Sequence, residues 1–181
     1  MGIKVQVDSE GRRRKSGGQA MVEFALVVTT LFFLVFAILD GSLLLFTVGT
    51  ARFAAGEGAR VAAERGNVAN TDQQIVAVIA GTALGTTKLS VVNEIDIFRL
   101  TEDGAGNLIV DNAHYNRYHL DGSQIGGISW PASTRNIQNG TSDFAGVTIQ
   151  YTYYWKSGIF SPAPPVNLSA TFLIRLEPQI Y

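Results

Sequence analysis

A long apolar run near the N-terminus is the feature that most constrains how this 181-residue chain can fold. Residues 24–39 carry no charge, and after Asp40 the apolar character resumes as far as Ala51. As a helix, residues 24–51 would be about 42 Å long, whereas a bilayer core is about 30 Å thick. The run therefore predicts a transmembrane helix with an extension beyond the membrane, because a soluble domain of this size has no interior that long.

Basic residues immediately before the run predict its orientation. Arg12, Arg13, Arg14 and Lys15 form a cluster that stays on the cytoplasmic side, so we expect the N-terminus inside and the C-terminal part outside. The alternative is a secretory signal peptide that is cut after the apolar stretch. Its apolar region would be unusually long, and the nearest site of the small-x-small type is Gly49-Thr50-Ala51.

Charge and composition exclude several classes of function. The net charge of the whole chain is −1, so nothing global points to a nucleic-acid partner. Residues 1–18 are nevertheless basic, which gives the chain a basic head and a mildly acidic body. There is no cysteine, and this excludes disulfides, zinc–thiolate sites and cysteine nucleophiles.

A glycine and a glutamate mark the start of the run. Gly18 closes the short basic leader, and Glu23 follows at the fifth position after it. A carboxylate at the edge of a membrane span is costly, which makes Glu23 a functional candidate. A place in the first turn of a helix would explain why the charge is tolerated, but it would not explain the glycine beside the basic leader.

The segment Gly18-Gln19-Ala20-Met21-Val22-Glu23-Phe24 resembles a type IV prepilin junction. It is similar to the start of the TadE-like pseudopilins of bacterial tight-adherence (Flp) pilus systems. The resemblance implies that a prepilin peptidase cuts after Gly18 and leaves Gln19 as the new N-terminus. It also implies that Glu23 is the carboxylate used in processing, or in pairing with the N-terminal amine of a subunit, where each charge offsets the other's desolvation.

Two further segments extend the resemblance. Residues 38–42 are similar to an Asp-centred interruption of the family's helix, and residues 54–63 are similar to its Ala-rich Glu-Gly-Ala-Arg block. For Asp40, a charge at the second membrane interface and a role in helix pairing both remain open. In the second block, Glu57 and Arg60 are spaced for an ion pair, and Gly58 would allow a neighbour to approach closely.

The remainder of the chain predicts an α+β fold, pilin-like in shape, with a long transmembrane helix, a second helix and a small antiparallel sheet. We expect the second helix over residues 72–87 and strands over 91–100 and 108–110. Alternating apolar residues at 147–155 and 168–176 predict an antiparallel pair joined by a Pro-containing connection that begins at residue 161. Residues 121–145 are rich in Gly, Ser, Asn and Thr, and they predict a surface loop.

Nothing in the chain indicates an enzyme. His114 and His119 are the two histidines, and their odd spacing on an extended segment points them to opposite faces, which is poor for a shared metal. Asp96, Glu102 and Asp103 are interpreted as solvated strand and turn residues. No phosphate-binding glycine motif, serine nucleophile elbow or HExxH motif is present. We therefore expect no catalytic residue, cofactor or metal.

The leading hypothesis is a structural role as a minor pilin or pseudopilin in assembly of a tight-adherence pilus. It divides the chain into a leader (residues 1–18), a transmembrane helix with its extension (19–66) and an extracytoplasmic domain (67–181). The expected partners are a prepilin peptidase, other pilin-like subunits with the assembly machinery, and the lipid bilayer. The first alternative is an uncleaved single-span protein that binds a partner through its outer domain. A secreted binding domain and an extracellular enzyme follow as weaker alternatives.

Overall fold

A computed structural model describes residues 14–160 and 163–177, with side chains from residue 18 onward. Most of the basic leader, part of the Pro-containing connection and the last four residues lie outside the described residues. The fold is α+β, as predicted. Its elements are α1 (Arg14–Arg65), α2 (Thr71–Gly81), α3 (Ala83–Thr86), β1 (Ser90–Glu102), β2 (Leu108–Tyr118), a short 3-10 turn (Ala132–Thr134), β3 (Phe144–Tyr153) and β4 (Val166–Arg175).

The four strands form one antiparallel sheet in the order β2-β1-β3-β4. The predicted pairing of the two alternating segments is confirmed, because β3 and β4 are hydrogen-bonded neighbours along their whole length. Their inward side chains, among them Val147, Ile149 and Ala170, are buried, whereas Gln150 and Thr171 on the opposite face are exposed. The sheet therefore has one apolar face and one polar face.

The second half of α1 covers the apolar face of the sheet and packs on β3, β4 and α2. Its contribution to the core is small side chains spaced along one side of the helix, which let the helix approach its neighbours closely. These fully buried residues are Ala51, Ala54, Ala55, Ala59 and Ala62. They meet Ile75 and Ile79 of α2 and the inward side chains of the sheet in a single core.

Opposite ends of this packed half of α1 are tied to opposite ends of the sheet. At one end, the Tyr153 hydroxyl at the close of β3 donates to the Asp40 carbonyl oxygen at 3.3 Å. At the other, the Glu177 N–H beyond β4 donates to the Ala63 carbonyl oxygen at 3.4 Å. The helix therefore lies along the strands from Asp40 to Ala63, and residues 18–39 project from the end of the sheet where β3 finishes.

Two predicted elements differ from the structure. The helix expected over residues 72–87 is broken at Thr82, whose extended backbone (φ −74°, ψ 170°) separates α2 from α3. The Thr82 hydroxyl bonds to the Ile79 carbonyl at 2.6 Å, so a short side chain closes the first helix. The strand expected at 108–110 continues to Tyr118, through polar residues that an edge strand can expose.

The prediction of a surface loop over residues 121–145 is wrong in part. Trp130 and Arg135 are buried, with exposed fractions of 1% and 3%, and Asp143 is also buried. Arg135 lies over the indole ring of Trp130, 4.5 Å from its centroid. The polar composition of the segment does not indicate that Trp130 and Arg135 are buried, because the residue that binds Arg135 comes from a distant part of the chain.

Candidate functional site

The predicted cleavage site lies inside a continuous helix. Gly18 and Gln19 belong to α1, whose helical backbone begins at Arg14. The Gln19 side-chain amide donates to the Glu23 carboxylate at 2.9 Å, across one turn. Glu23 is exposed and is the only charged residue from Gln19 to Leu39. Its carboxylate is therefore available to a group from outside the chain.

The first half of α1 has the properties of a membrane span. Among the described residues, one helix is long and apolar enough to cross a membrane: Gly18–Arg65, with a mean hydropathy of 2.6 in its most apolar window and none of that window buried. Its hydroxyl groups are satisfied within the helix, since Thr29 bonds to the Ala25 carbonyl at 2.7 Å and Thr30 to the Leu26 carbonyl at 2.9 Å. Such internal bonding suits a helix in lipid, where no water is available.

Asp40 is buried at the boundary between the two halves of α1, with an exposed fraction of 1%. Its carboxylate accepts hydrogen bonds from the N–H groups of Lys156 and Ser157, each at 3.2 Å, and from the Ser157 hydroxyl at 2.6 Å. The charge is thus held by the connection that follows β3. Neither sequence interpretation of Asp40 included this partner in the same chain.

Tyr153 completes the same junction from the end of β3. Burial raises the pKa of its hydroxyl, and the nearby Asp40 carboxylate adds to the rise, so the phenol stays protonated and donates. The junction therefore joins the apolar helix to the sheet through the Asp40 carboxylate and carbonyl, two hydroxyls and two backbone N–H groups.

The block around Gly58 packs within the protein. Arg60 bridges Glu57 at 3.1 Å and Glu64 at 3.3 Å on the exposed side of the helix, where such pairs contribute little. Gly58 points the other way, into α2. A Cβ added there would lie 3.0–3.2 Å from side-chain atoms of Ile75 and Ile79. The close neighbour expected from the small residues is therefore the chain's own second helix.

An exposed apolar stripe continues along α1 beyond Asp40. Leu45, Phe46 and Phe53 are 73%, 51% and 62% exposed on the side of the helix turned away from the sheet. Gly49 lies among them, and nothing would meet a Cβ added there. Phe53 is 13 residues past Asp40, or about 20 Å along the helix. These apolar residues are plain in the sequence, but the sequence does not show which side of α1 the core buries.

Sequence reasoning missed a buried polar network at the start of α2. Asp72, interpreted only as the first helical residue, forms an ion pair with Arg135 and accepts hydrogen bonds from Asn116 at 2.8 Å and the Tyr118 hydroxyl at 3.0 Å. Burial, followed by the Asp72 charge, raises the pKa of the Tyr118 phenol. The network joins α2, β2 and the 121–145 segment.

The residues considered for catalysis or metal binding are dispersed. Asp96, expected to be solvated, is buried at 1% exposure on the polar face of the sheet and accepts a hydrogen bond from Gln150 at 2.8 Å. Burial, with a contribution from Asp96, raises the pKa of the neighbouring Glu94. His114 bonds to Asp111 at 2.7 Å. Within the described residues, no group of three or more His, Asp or Glu side chains could hold a metal ion.

The comparisons with known proteins bear on the helix alone. No curated protein and no solved structure matches the chain significantly. One protein family does match the chain, over a segment that begins at Gly18, includes Gln19, Glu23 and Asp40, and ends at Arg60. The resemblance predicted from the prepilin-like junction is thereby confirmed: residues 18–60 match the model of the family described as TadE-like protein, a pilin-type structural family.

Proposed function

We propose that this chain is a membrane-anchored TadE-like minor pilin or pseudopilin that takes part in assembly of a tight-adherence pilus. The observation that carries the proposal is the division of α1. Its first half is apolar and unburied, and its second half is built into the core of the outer domain. An outer domain held rigidly on a projecting apolar helix is the arrangement that a pilin-type subunit needs in order to pack by its helix.

The proposed function divides the chain into three parts. Residues 1–18 are the cytoplasmic leader, residues 19–66 the span with its extension, and residues 67–181 the extracytoplasmic domain. The basic residues of the leader support this orientation. In this arrangement the chain acts through contacts with other subunits rather than as an enzyme.

The exposed stripe beyond the membrane supports a subunit interface. Phe46 and Phe53 lie on the solvent side of α1, whose other side is buried in the core of the outer domain. Exposed aromatic side chains in a row favour burial against a partner, and Gly49 between them leaves room for a second helix. A pilin-like subunit packed along α1 from Glu23 to Phe53 would cover both the apolar side chains of the proposed span and the exposed stripe beyond Asp40.

Processing by a prepilin peptidase is tested by the intact mass of the protein from membranes of a host with its own peptidase. We expect loss of residues 1–18 and a mature chain that begins at Gln19. Gly17 and Gly18 help here, since each glycine weakens a helix by roughly 1 kcal/mol and eases the unwinding that a peptidase requires. A mature chain that starts elsewhere would contradict this assignment of the junction.

The assembly role is tested by two substitutions on the open side of α1. We expect Glu23→Ala and Phe53→Ser to reduce filament yield strongly while the protein still inserts into the membrane at the level of the unaltered chain. The control matched to Phe53→Ser is Ile109→Ser, which alters another exposed apolar side chain, 50% exposed against 62% for Phe53, on β2 and away from α1. If filament yield falls no further with the two α1 variants than with the control, the proposed helix interface is wrong.

One observation favours the alternative of an uncleaved anchor. The backbone is helical through Gly18, and a peptidase must unwind the helix there before it can cut. An uncleaved, single-span surface protein would act through its outer domain instead. A full-length mass from peptidase-containing membranes, together with normal function of the Glu23→Ala variant, would favour this alternative.

A further inference from the structure

A group of aromatic and lysine side chains surrounds the end of the sheet from which the apolar half of α1 projects. This aromatic rim comprises Lys88, Tyr154, Trp155, Lys156 and Phe160. It is placed by the Asp40 junction, because Lys156 and Ser157 donate their N–H groups to the Asp40 carboxylate. The Lys156 ammonium also donates to the Lys88 backbone carbonyl at 3.2 Å, which places the Lys156 side chain beside the start of β1.

The length of the apolar half of α1 indicates where a bilayer would end relative to the rim. From Gln19 to Leu39 the helix is about 32 Å long, close to the thickness of a bilayer core. Asp40 is the next residue, and the protein's own backbone satisfies its charge. The polar face of the sheet, with exposed residues such as Gln150 and Thr171, opposes deeper insertion of the domain into the bilayer. In a bilayer spanned by residues 19–39, the rim would therefore face the outer lipid headgroups.

The chemistry of the rim suits that position. Trp155 packs edge-on against Tyr153 and at a tilt against Phe160, with both centroid distances 5.7 Å, and its indole N–H donates to the Pro164 carbonyl at 3.1 Å. Tyr154 is 45% exposed. Tryptophan and tyrosine are the side chains enriched at membrane–water interfaces, because they present an apolar body and a polar tip.

The charge distribution points to the same partner. Lys88 and Lys156 are exposed, and they are the only lysines in the sequence after residue 15. Residues 67–181 carry nine acidic side chains against six basic ones, the two lysines included. Both lysines of an acidic domain thus lie at its membrane end, where they can meet lipid phosphates.

We propose that the aromatic rim is a second membrane contact, which places Tyr154, Trp155 and Phe160 among the outer headgroups while Lys88 and Lys156 bind anionic phospholipid. The proposal rests on the membrane anchoring in the proposed function. The Asp40 junction couples this contact to the span, so the domain is held against the membrane at a fixed angle instead of swinging on its helix.

The test uses the full chain, which has no cysteine of its own and therefore accepts single spin labels. Tyr154→Cys reports on the rim, Phe33→Cys on the span, and Ala105→Cys on the turn after β1, at the far end of a strand about 40 Å long. Labelled proteins are reconstituted in phosphatidylcholine vesicles with or without phosphatidylglycerol. Collision rates of each label with oxygen, which concentrates in lipid, and with a water-soluble nickel complex are then measured.

We expect the oxygen-to-nickel ratio at residue 154 to be several-fold higher than at 105 and lower than at 33. Phosphatidylglycerol should raise the ratio at 154, and Lys88→Gln with Lys156→Gln should abolish that rise. A ratio at 154 equal to that at 105 would overturn the rim contact and leave the anchor intact. Low accessibility of 154 to both reagents would mean that protein covers the rim and would also overturn it. Only a nickel-accessible label at 33 would refute the anchoring.

Native fluorescence provides a second measurement that needs no labelled cysteine. Trp155 lies in the rim, whereas Trp130 is buried in the outer domain. Lipids brominated near the headgroup should quench part of the emission of the unaltered chain, and Trp155→Phe should remove the quenchable part. Equal quenching in the two proteins would count against the contact.

Discussion

Asp40 shows how one residue can serve two environments. A carboxylate inside an apolar helix is costly in lipid, and it is also costly in a protein interior unless it is hydrogen-bonded. The chain satisfies both demands with a connection 116 residues further on, whose N–H groups reach the carboxylate at the point where the helix leaves the membrane. The Asp40 carboxylate therefore lies at the boundary between the two halves of α1 and attaches the outer domain to the helix at that point.

Removing the Asp40 carboxylate should therefore loosen the junction. Asp40→Ala leaves the N–H groups of Lys156 and Ser157 without their acceptor, and we expect a loss of about 1–3 kcal/mol in the free energy of unfolding. Ser157→Ala is the matched control. It removes one of the hydrogen bonds and keeps the carboxylate, so it should cost only about 1 kcal/mol.

Thermal unfolding in detergent and the rate of protease cleavage within residues 154–160 measure the effect of Asp40→Ala. The variant should unfold at a lower temperature than Ser157→Ala and be cut faster. Equal behaviour of the two variants would mean that the hydroxyl alone holds the connection.

Single residues were easier to identify from the sequence than their partners were. Gly18, Glu23 and Asp40 stand out because a charge or a glycine is conspicuous beside an apolar run. The pair of Asp72 and Arg135 does not stand out, since the two residues lie 63 positions apart and each has an ordinary polar neighbourhood in the sequence. Long-range polar contacts of this kind depend on the fold and leave no local pattern.

At the scale of elements, the periodicity of apolar residues predicts a strand correctly where one face of that strand is buried. The alternation in β3 and β4 is strong because α1 covers one side of both strands. It fails in the second part of β2, an edge strand whose residues from Asp111 onward are mostly polar. The spacing of small residues in α1 indicated a close neighbour, but only the folded chain identifies that neighbour as α2.

The packing of α1 on α2 depends on the absence of a side chain at Gly58. We expect Gly58→Leu to destabilise the fold by about 1–3 kcal/mol, because the new side chain must displace Ile75 and Ile79. Gly49→Leu is the control on the same helix. Nothing lies near its Cβ position, so replacing the glycine should stabilise the helix by up to about 1 kcal/mol.

Chemical denaturation of both glycine variants, with circular dichroism as the readout, decides between them. Opposite signs of the change are expected. If both variants are stabilised, α2 gives way easily and the close contact is not required. If both are destabilised, the exposed side of α1 is packed against something in solution, and a second copy becomes the first candidate.

At the scale of the whole molecule, α1 belongs to two units at once. The proposed boundary at residue 66 separates the helix from the outer domain in the sequence, but the core crosses it, since Ala51–Ala62 supply the layer that covers the sheet. The folding unit therefore begins near Asp40, and within the described part of α1 residues 18–39 can be removed without uncovering the core.

A pair of truncations tests this division. A fragment of residues 40–181 keeps the junction and the core, and we expect it to unfold cooperatively in mild detergent within a few degrees of the full chain. A fragment of residues 67–181 exposes Ile75, Ile79, Val147 and Ile149, each worth about 1.5–3 kcal/mol of burial. That loss is comparable with the whole stability of a typical domain, about 5–15 kcal/mol, so this fragment should not fold. Cooperative unfolding of the shorter fragment would show that α1 is only attached to the domain, whereas an unfolded longer fragment would show that the apolar half helps to hold the fold together.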